Sequence, residues 1–437
     1  MKVSERAMAA TPVLQQLTQF GEVLDPQAYQ LDGLTPQLAL APLTIDALRD
    51  VLHVAAEAGL AVVPWGGGTH IGLGNVPRAF DLALDLRHLN HIVSYTPHDL
   101  TVAVEAGVTV ATLQRELGRH GQMLPLDCAT PERTTIGGLV ASGLGGPRRY
   151  GYGSLRDLLI GITVALPNGQ LSRGGGMVVK NVSGYDMMRL HYGALGSFGV
   201  IVQVNFKVLP APRAQRTVLA GYATLDQAAD LAMAVRTSQL APTALIVLNA
   251  SAQRTLGEHV EGWSVALRCE GPPQAVERQA ERISALVREH GGREWVLDDQ
   301  QTEQYWARVA SLIDAAPCEQ GLRVRIGERP SSFSDIIPTI EAACTAVRVH
   351  PTLVLDVGSG LGYVTIDDEL PPVAFQRLWE RLCTLGQHVT LLRAPAAFKA
   401  GIDVFGRSPA SLAVLRALKA TFDPSAVLNP GRYVGKL

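Results

Sequence analysis

The chain has 437 residues, 47% of them apolar and 18% charged, which is enough for more than one hydrophobic core and predicts two domains. Its 38 basic and 40 acidic side chains give a formal net charge of -2, so no broad basic surface predicts binding to nucleic acid or anionic lipid. The first residues lack the apolar core of a signal peptide, and no run of about 18 apolar residues could span a bilayer. We therefore expect a cytoplasmic protein without a membrane span of its own.

The first part of the chain predicts a small α+β unit without a regular βαβ repeat. Residues 44–58 have apolar side chains at helical spacing, with Thr44 as the N-cap and Gly59 as the stop signal. A short apolar strand at residues 60–64 leads into the loop PWGGGTHIGLG, which holds five glycines in eleven residues. Two further strands and a helix are predicted at residues 81–86, 100–107 and 108–121.

A second glycine-dense block, TTIGGLVASGLGGPRRYGYGSLRDLLIG, covers residues 134–161. It leads into a strand followed by Pro167-Asn168-Gly169, which is a typical hairpin turn sequence. The stretch VIVQVNFKVL, which ends just before Pro210, then alternates like a long strand. Glycine becomes rarer after residue 212, and alternating helical and strand patterns predict a second domain with helices on a sheet. The tail has one helical pattern and then an extended Asn429-Pro430-Gly431 end.

The two glycine blocks predict a site for a long anionic ligand. Glycines permit positive φ and let backbone N–H groups converge on an anion. The spacing fits neither the P-loop nor the G-x-G-x-x-G fingerprint, since no Lys follows the glycines and Ile71 stands where the last glycine would be required. A tight turn would explain one glycine cluster equally well, but two clusters in one small unit favour a ligand held along its length. For Arg148 and Arg149, solvent-exposed charge is favoured over ligand contact.

Three stretches resemble the FAD-binding domain of the vanillyl-alcohol-oxidase, or PCMH, type: PWGGGTHIGLG, TIGGLVASGLGG and GSFGVIVQVNFKVLP. Within that family, GPRRYGYGSLRDLLIG, GGGMVVKNVSGYDMMRL and the terminal FDPSAVLNPGRYV resemble the second FAD-binding subunits of bacterial glycolate oxidases. The resemblance covers about residues 42–212 and the last thirty or so, and KNVSGYD is its most discriminating motif.

The resemblance implies an α+β fold of three parts. Residues 1–212 would form a PCMH-type FAD-binding domain of two α+β subdomains, with a boundary near residues 125–135. Residues 213–395 would form a smaller α+β cap or substrate domain with helices on an antiparallel sheet. Residues 396–437 would form a C-terminal helix and tail that return to the FAD-binding domain.

The resemblance also implies FAD as the cofactor and assigns four groups of residues to it. The loop from Pro64 and Trp65 to Gly72 would hold the FAD pyrophosphate through the amides of Gly66, Gly67, Gly68 and Thr69, with His70 beside them. The flavin would be bordered by Pro125 and Asp127. The other side of the cofactor would be lined by Thr135, Ile136, Gly137, Gly138, Ala141, Ser142, Gly143 and Gly145. The adenine or ribose would lie against the backbone of Gly199, Val200 and Ile201.

Three departures from the family pattern refine these expectations. Some relatives tether the flavin through a His, whose place here is taken by Gly68, so we expect non-covalent FAD. A histidine-rich metal motif is common in the second domain of related dehydrogenases, but the nearest equivalent, LDVGSGLGYV, contains no His and predicts no metal. The second domain also looks small, so the substrate pocket does not follow from the resemblance. A β-branched residue at Gly67 should abolish FAD binding and leave most of the fold intact.

Candidates for the substrate chemistry are weaker. A 2-hydroxy acid needs a cation for its carboxylate and a base for its hydroxyl proton. Arg323 and Arg325 alternate on a predicted strand and could bind a carboxylate, although an exposed sheet face is the commoner explanation. Lys180 and Tyr185 of KNVSGYD could face the flavin or have a structural role. No catalytic base can be assigned.

The leading hypothesis is an FAD-dependent oxidoreductase subunit that oxidises glycolate or another 2-hydroxy acid within a complex. The resemblance implies a second FAD-binding subunit and an iron–sulfur subunit as partners, through which the chain could associate with a membrane. None of the five cysteines stands at C-x-x-C spacing, so no iron–sulfur site is predicted in this chain. The alternatives are an FAD-carrying subunit for electron relay or assembly, and a stand-alone oxidase that uses oxygen.

Overall fold

The computed structural model describes residues 12–177, 185–257, 261–314 and 320–437. Within these ranges the strands form three larger sheets and one two-stranded pair. None of the helices described there is both long enough and apolar enough to cross a bilayer.

The first sheet has four strands in the order β1-β2-β4-β3, with bounds Gly21–Leu24 (β1), Leu38–Pro42 (β2), Val62–Trp65 (β3) and Leu82–Asp85 (β4). Strand β1 is antiparallel to β2, whereas β4 is parallel to both β2 and β3. Helix α1 (Ile45–Glu57) connects β2 to β3, and the Thr44 hydroxyl accepts a hydrogen bond from the Ala47 N–H at its start. The predicted helix and both predicted strands of this unit are confirmed.

The second sheet is antiparallel, with five strands in the order β5-β6-β10-β8-β9. Its strands, with the separate pair β7–β11, are Ile92–Thr96 (β5), Thr101–Glu105 (β6), Gln122–Met123 (β7), Leu159–Ala165 (β8), Leu171–Gly175 (β9), Val200–Lys207 (β10) and Leu209–Pro210 (β11). The accompanying helices are Val110–Gly118 (α2), Ile136–Ser142 (α3), Arg149–Tyr152 (α4), Leu155–Leu158 (α5) and Met187–His191 (α6). The chain changes sheet between Asp85 and Ile92, so the predicted subdomain boundary near 125–135 lies inside this second unit.

The third sheet, here the cap sheet, has eight antiparallel strands in the order β15-β12-β14-β13-β17-β18-β16-β19. The strands are Ala214–Tyr222 (β12), Ala244–Leu248 (β13), Trp263–Gly271 (β14), Arg293–Leu297 (β15), Leu322–Gly327 (β16), Thr352–Asp356 (β17), Leu361–Ile366 (β18) and His388–Arg393 (β19). The helices are Leu225–Thr237 (α7), Ala250–Thr255 (α8), Pro273–Glu289 (α9), Asp299–Ile313 (α10), Phe333–Ala346 (α11) and Pro372–Leu385 (α12).

The two faces of the cap sheet have different neighbours. One face forms a large apolar core with helices α7, α9, α11 and α12, which bury Leu231, Ile283 and Ile337 there. The other face contacts α8, α10 and the N-terminal half of the chain, where Leu144 and Leu195 share a core with cap residues. The cap sheet therefore lies directly over loops of the first two sheets.

The C-terminal segment returns to the first sheet, as the resemblance implied. After Ala396–Lys399 (α13) and Leu412–Phe422 (α14), the tail runs beside β3, where the Asn429 N–H donates to the Val62 carbonyl over 2.9 Å. Buried Lys419 pairs with Asp423 at 2.6 Å and donates to two backbone carbonyls. These contacts hold the tail against β3 and the turn at Ser197. We propose the division of the chain at 212/213 and 395/396 on this arrangement.

Candidate functional site

The loop PWGGGTHIGLG connects β3 to β4 and lines a cavity. The Trp65 ring turns away from this cavity and stacks on Phe80 with a centroid distance of 6.4 Å. The remaining loop residues meet the second glycine block and the tail across the opening, which we call the loop cavity. Its lining consists of Pro64, Gly66, Gly67, Gly68, Thr69, His70, Ile71, Thr135, Gly138, Ala141, Ser142, Leu195 and Arg432.

Two glycines of this loop are required by protein packing. A Cβ on Gly66 would stand 2.3 Å from the Thr135 hydroxyl, and a Cβ on Gly67 would stand 1.7 Å from the Arg133 carbonyl oxygen. The two glycine blocks are therefore in direct contact with each other. A Cβ on Gly145, in contrast, would meet no protein atom within 4 Å. The expectation that a side chain at Gly67 would leave most of the fold intact is wrong, because that side chain would overlap the backbone at Arg133.

Two buried nitrogen atoms of the loop cavity, the Nδ1 of His70 and the Nε of Arg432, have no hydrogen-bond partner among the described residues. The other guanidinium nitrogens of Arg432 donate to the carbonyls of Ile71 and Leu73, at 2.5 and 2.6 Å, and to the Asn429 side chain at 3.0 Å. Burial lowers the Arg432 pKa to about 10, and the charge of Asp32 only partly offsets this effect. The unpartnered N–H of a buried guanidinium fits a bound anion.

His70 also connects the loop to the cap. Its Nε2 lies 2.8 Å from Oδ1 of Asp314, and the two side chains are only 10% and 12% exposed. Asp314 follows α10, and its carbonyl oxygen accepts a hydrogen bond from Arg323 on β16. Arg323 donates in turn to the Thr365 hydroxyl over 2.8 Å. The imidazole of a loop residue is thus held by the cap sheet.

Two further cavities continue from the loop cavity. The interface cavity, which shares His70 with it, is lined by His70, Asp127, Cys128, Ala129, Leu139, Leu144, Gly145, Gly146, Ala310, Ile313, Asp314 and Tyr363. The inner cavity lies next to it and is lined by Pro125, Leu126, Asp127, Leu139, Leu144, Gly145, Gly146, Arg149, Gly153, Ser154, Leu155 and Tyr192. Together they extend the site from the glycine loop to the cap sheet.

Polar side chains of the cap sheet reach this region. Arg325 on β16 pairs directly with Tyr363 on β18, so the two side chains stand on the same face of the sheet. Burial lowers the Arg325 pKa; the nearby Arg149 charge lowers it further, and Tyr363 and Tyr192 partly oppose this effect. Burial also raises the Tyr363 pKa to about 12 and the Tyr192 pKa above its usual value. Both hydroxyls are therefore neutral hydrogen-bond donors at neutral pH.

Asp356, at the end of β17, adds a buried carboxyl to this cluster. Its side chain is 1% exposed, and Oδ1 accepts the Ser359 N–H over 3.1 Å. Burial raises its pKa to about 7, an effect that the Ser359 hydrogen bonds and the charge of Arg149 only partly offset. Among the residues that the structure describes, no group of three or more His, Cys, Asp or Glu side chains could hold a metal ion.

A buried ion network joins the cap to the N-terminal half. Arg148 binds Glu270 of β14 at 2.7 Å, and its backbone N–H donates to Asp127 over 2.9 Å. Arg268 lies 3.3 Å from Glu270 and 3.6 Å from Asp127. Although burial alone would lower the Arg148 pKa, Glu270 and Asp127 hold it above its usual value. Solvent-exposed charge was the wrong expectation for Arg148, whereas the half-buried Arg149 lines the inner cavity.

The predicted cofactor residues divide into two sets. The set that lines one of the three cavities is Pro64, Gly66, Gly67, Gly68, Thr69, His70, Pro125, Asp127, Thr135, Gly138, Ala141, Ser142 and Gly145. The set outside their linings is Trp65, Gly72, Ile136, Gly137, Gly143, Gly199, Val200 and Ile201. In that second set, Ile136, Val200 and Ile201 point into apolar cores. Contact of their backbones with a cofactor remains a prediction.

The four catalytic candidates differ in where they lie and in what they contact. Lys180 lies outside the described residues. Tyr185 is 89% exposed and lines none of the three cavities. Arg323 is buried and bound to Thr365 and Asp314, and Arg325 is half-buried beside Tyr363, so an exposed sheet face was the wrong explanation for this pair.

Five lining residues with charged or phenolic side chains were not among the predicted site residues: Arg432, Asp314, Tyr363, Arg149 and Tyr192. Arg432 had a usable signal, because it follows Asn429-Pro430-Gly431 in a motif that the resemblance already covered. No signal in the sequence indicated Asp314 and Tyr363, because their approach to the loop depends on how the cap sheet packs on the N-terminal half.

Comparison with known proteins identifies the family. Residues 36–175 match the family described as FAD binding domain, and residues 211–324 and 406–433 match that described as FAD linked oxidases, C-terminal domain. Glycolate oxidase subunit GlcD of Bacillus subtilis (strain 168) is 28% identical over 428 residues, which cover 92% of this chain and 89% of that protein. Glycolate oxidase subunit GlcE of Escherichia coli (strain K12) is 44% identical over 134 residues, 30% of this chain and 38% of that protein.

A solved structure confirms the fold. The 4-ethylphenol oxidase from Gulosibacter chungangensis superposes with a TM-score of 0.77 at 15% identity, covering 98% of this chain and 97% of that one. The α+β architecture that the resemblance implied is thus confirmed, and FAD fits the unpartnered guanidinium N–H of Arg432 in the loop cavity. This chain belongs to the FAD-linked oxidases with a PCMH-type FAD-binding domain.

Proposed function

We propose that this chain oxidises a small 2-hydroxy acid, with glycolate as the first candidate because related proteins are named glycolate oxidase subunits. The observation that carries the proposal is Arg325. Its guanidinium has no carboxylate partner among the described residues, yet it is half-buried beside the side chains of Tyr363 and Tyr192. A cation of this kind is the group that a substrate carboxylate requires.

The residues around Arg325 suit the orientation of such an acid. Arg149 adds a second positive charge from the N-terminal half, and Tyr363 and Tyr192 can donate hydrogen bonds to the carboxylate. The cap side chains Ala310 and Ile313 give the interface cavity an apolar side that limits access of water. Bound FAD would supply the acceptor for a hydride from the α carbon.

The proposed cofactor site includes the predicted residues that line the three cavities, together with Arg432. The buried Nε of Arg432 and Nδ1 of His70 support contact with the pyrophosphate. We also propose that FAD is bound non-covalently. Gly68 has no side chain to form a tether and adopts φ of +71°, and the His70 ring is already engaged by Asp314.

The partners proposed for the chain are a second FAD-binding subunit and an iron–sulfur subunit. The names of the two relatives, which are both subunits of glycolate oxidase, support a complex. The five cysteines of this sequence do not stand at iron–sulfur spacing, so the electrons would have to leave through another protein or a soluble acceptor.

Anaerobic addition of glycolate and D-lactate to the purified, FAD-loaded chain tests the function. We expect one of the acids to bleach the flavin absorbance. Arg325→Met should raise the acid concentration needed for half-maximal bleaching by about 10-fold to 100-fold, because a charged hydrogen bond is lost. Arg293→Met is the matched control, since Arg293 also lies beside an aromatic ring, 5.0 Å from Trp295, but is exposed on the edge strand β15.

Two other outcomes would support the alternative functions. A flavin that keeps its absorbance with both acids and bleaches only after the partner subunits are added would make this chain an electron relay. Peroxide formation by the chain alone in air would indicate an oxidase that uses oxygen directly.

A further inference from the structure

The carboxylate of Asp127 stands in the wall of the proposed cofactor site. Asp127 lines both the interface cavity and the inner cavity, and its side chain is only 5% exposed. Its Oδ2 accepts the backbone N–H of Arg148 over 2.9 Å. A Cβ on Gly146 would stand 2.4 Å from the same oxygen, so the carboxylate fits there because residue 146 is a glycine. The second glycine block therefore holds this side chain in one orientation.

The cap supplies a cation that faces this carboxylate. Nη1 of Arg268, on β14, lies 3.6 Å from Oδ1 of Asp127, and the Arg268 side chain is buried. Nη2 of Arg268 donates to the Gln215 side chain over 2.6 Å, and the guanidinium lies 5.8 Å from the centre of the Trp306 ring. Gln215 and Trp306 belong to β12 and α10 of the cap. The cap therefore fixes the position of the guanidinium that meets Asp127.

The charges of the buried ion network balance. Arg148 binds Glu270 at 2.7 Å, and Arg268 lies 3.3 Å from Glu270 and 3.6 Å from Asp127. Glu303 also lies 3.8 Å from Arg268, but its side chain is 71% exposed and its charge is screened by solvent. The two buried arginines and the two buried carboxylates thus carry no net charge together. Loss of Asp127 would leave one positive charge beside the cavities, and loss of Arg268 would leave one negative charge.

Such a charge acts on the electron affinity of a flavin. A flavin that accepts two electrons and one proton gains one negative charge, so a positive charge nearby favours its reduction and a negative charge opposes it. The effect is strongest where water is excluded. His70, Arg149 and Asp314 also line the interface and inner cavities, but variants of Asp127 and Arg268 leave these three residues unchanged.

We infer that the cap sets the reduction potential of the bound flavin, because Arg268 neutralises the Asp127 carboxylate in the wall of the cofactor site. Both are positioning residues: neither forms or breaks a bond in the reaction, and Arg268 acts through Asp127. The inference rests on the proposed cofactor site and does not depend on the identity of the substrate. The cap would thus control the cofactor as well as bind the acid through Arg325.

The reduction potential of the FAD-loaded chain, measured without oxygen by titration with dithionite beside a reference dye, tests the inference. Asp127→Asn should increase the ratio of reduced to oxidised flavin about tenfold, which is a rise of about 30 mV for a two-electron couple. Arg268→Met should lower the potential by about the same amount, because the Asp127 charge is no longer neutralised. The double variant has no net charge in the network, so its potential should return to that of the unmodified chain.

The opposite signs separate an electrostatic role from a structural one. Each single variant breaks a buried ion pair and should unfold more easily, so damage to the fold alone would move both potentials in the same direction. Shifts of the same sign, or no shift in either variant, would overturn the inference. Should Arg268→Met fail to fold, Asp127→Asn decides alone, since it keeps the shape of the side chain: a raised potential supports the inference and an unchanged one overturns it.

Arg216→Met is the matched control. Arg216 is also a cap arginine that pairs with two carboxylates, but these belong to Glu277 and Asp299, whose side chains are 51% and 57% exposed. Its loss should leave the potential unchanged. No substrate acid is needed, so a chain whose flavin is not bleached by glycolate or D-lactate can still show the expected shifts. A chain that takes up no FAD would contradict the proposed cofactor site and this inference with it.

Discussion

The two sides of the site are built from different parts of the chain. On the N-terminal side, loop backbone forms the wall, with Gly66 and Gly67 in contact with residues 133–135 and buried Arg432 behind them. On the cap side, long polar side chains on neighbouring strands approach the site. Tyr363 lines the interface cavity, and Arg325 stands directly opposite it on the neighbouring strand.

The N-terminal side uses backbone and the cap side uses side chains because the two sides have to hold different ligands. Backbone N–H groups can bind phosphates if no side chain separates them from the oxygens. A small acid presents one carboxylate, which a guanidinium recognises best. Added side-chain volume should therefore damage the N-terminal side, and altered charge should damage the cap side and the contact between the two.

The largest effect is expected for Gly67→Val. Its Cβ would stand 1.7 Å from the Arg133 carbonyl oxygen, so the two glycine blocks have to separate. We expect complete loss of bound FAD and a decrease of about 3 kcal/mol in the free energy of unfolding, the upper end for overpacking. Thermal unfolding of the FAD-free chain and the flavin content after reconstitution measure both effects. A variant that loses FAD without any loss of stability would show that the contact between the blocks is weak.

The contact between the two sides should depend on charge. Arg148→Met would leave the Glu270 carboxylate, which is fully buried, with Arg268 as its remaining cation. Removing one partner of a buried ion pair costs about 3 kcal/mol or more, and denaturant unfolding should show this loss. Arg216→Met is the control, because Arg216 pairs with Glu277 and Asp299 at the surface and its loss should cost less than about 1 kcal/mol. Equal losses for the two variants would contradict a special role of the buried network.

The cap side should also respond to pH through Asp356. Because burial raises its pKa to about 7, above the usual 3.9 or so, the folded state resists ionisation of this carboxyl. Its contribution to stability is therefore largest below about pH 4, decreases as the pH rises to about 7, and then stays constant. Asp356→Asn should gain stability over the unmodified chain by about 1 kcal/mol per pH unit between pH 5 and pH 7.

Unfolding measured across this pH range checks the Asp356 prediction. Asp367→Asn is the control, since the Asp367 side chain is 72% exposed and its difference from the unmodified chain should not follow this pH course. A constant difference for Asp356→Asn would mean that the carboxyl ionises normally in the folded protein.

The sequence could predict those parts of the fold that depend on neighbouring residues. The cap of α1 at Thr44 and the turn at Pro167-Asn168-Gly169, where Gly169 adopts φ of +77°, were both predicted because their signals are local. The glycine blocks were predicted for the same reason. Which of their glycines faces a ligand could not be predicted, because Gly67 is required by Arg133, a residue far along the chain.

The cap side was much harder to predict. Arg325 and Tyr363 become neighbours only through the register of β16 and β18, and an alternating strand pattern does not contain that register. Arg432 reaches the carbonyls of Ile71 and Leu73 over a sequence separation of about 360 residues. The subdomain boundary was misplaced for a similar reason, since β5 and β6 join the second sheet only by pairing with β10.

The smallest effect on stability is expected at a glycine that protein packing does not require. A Cβ on Gly145 would meet no atom within 4 Å, and Gly145 lines both the interface cavity and the inner cavity. Gly145→Val should leave the unfolding of the FAD-free chain unchanged and weaken FAD binding by about tenfold, or 1.4 kcal/mol, through contact of the new methyl groups with the cofactor. Gly118→Val is the matched control, because Gly118 is equally open but lies on the surface at the end of α2. If both variants bind FAD like the unmodified chain, the cofactor does not approach Gly145, and the backbone wall of the site is confined to the loop cavity.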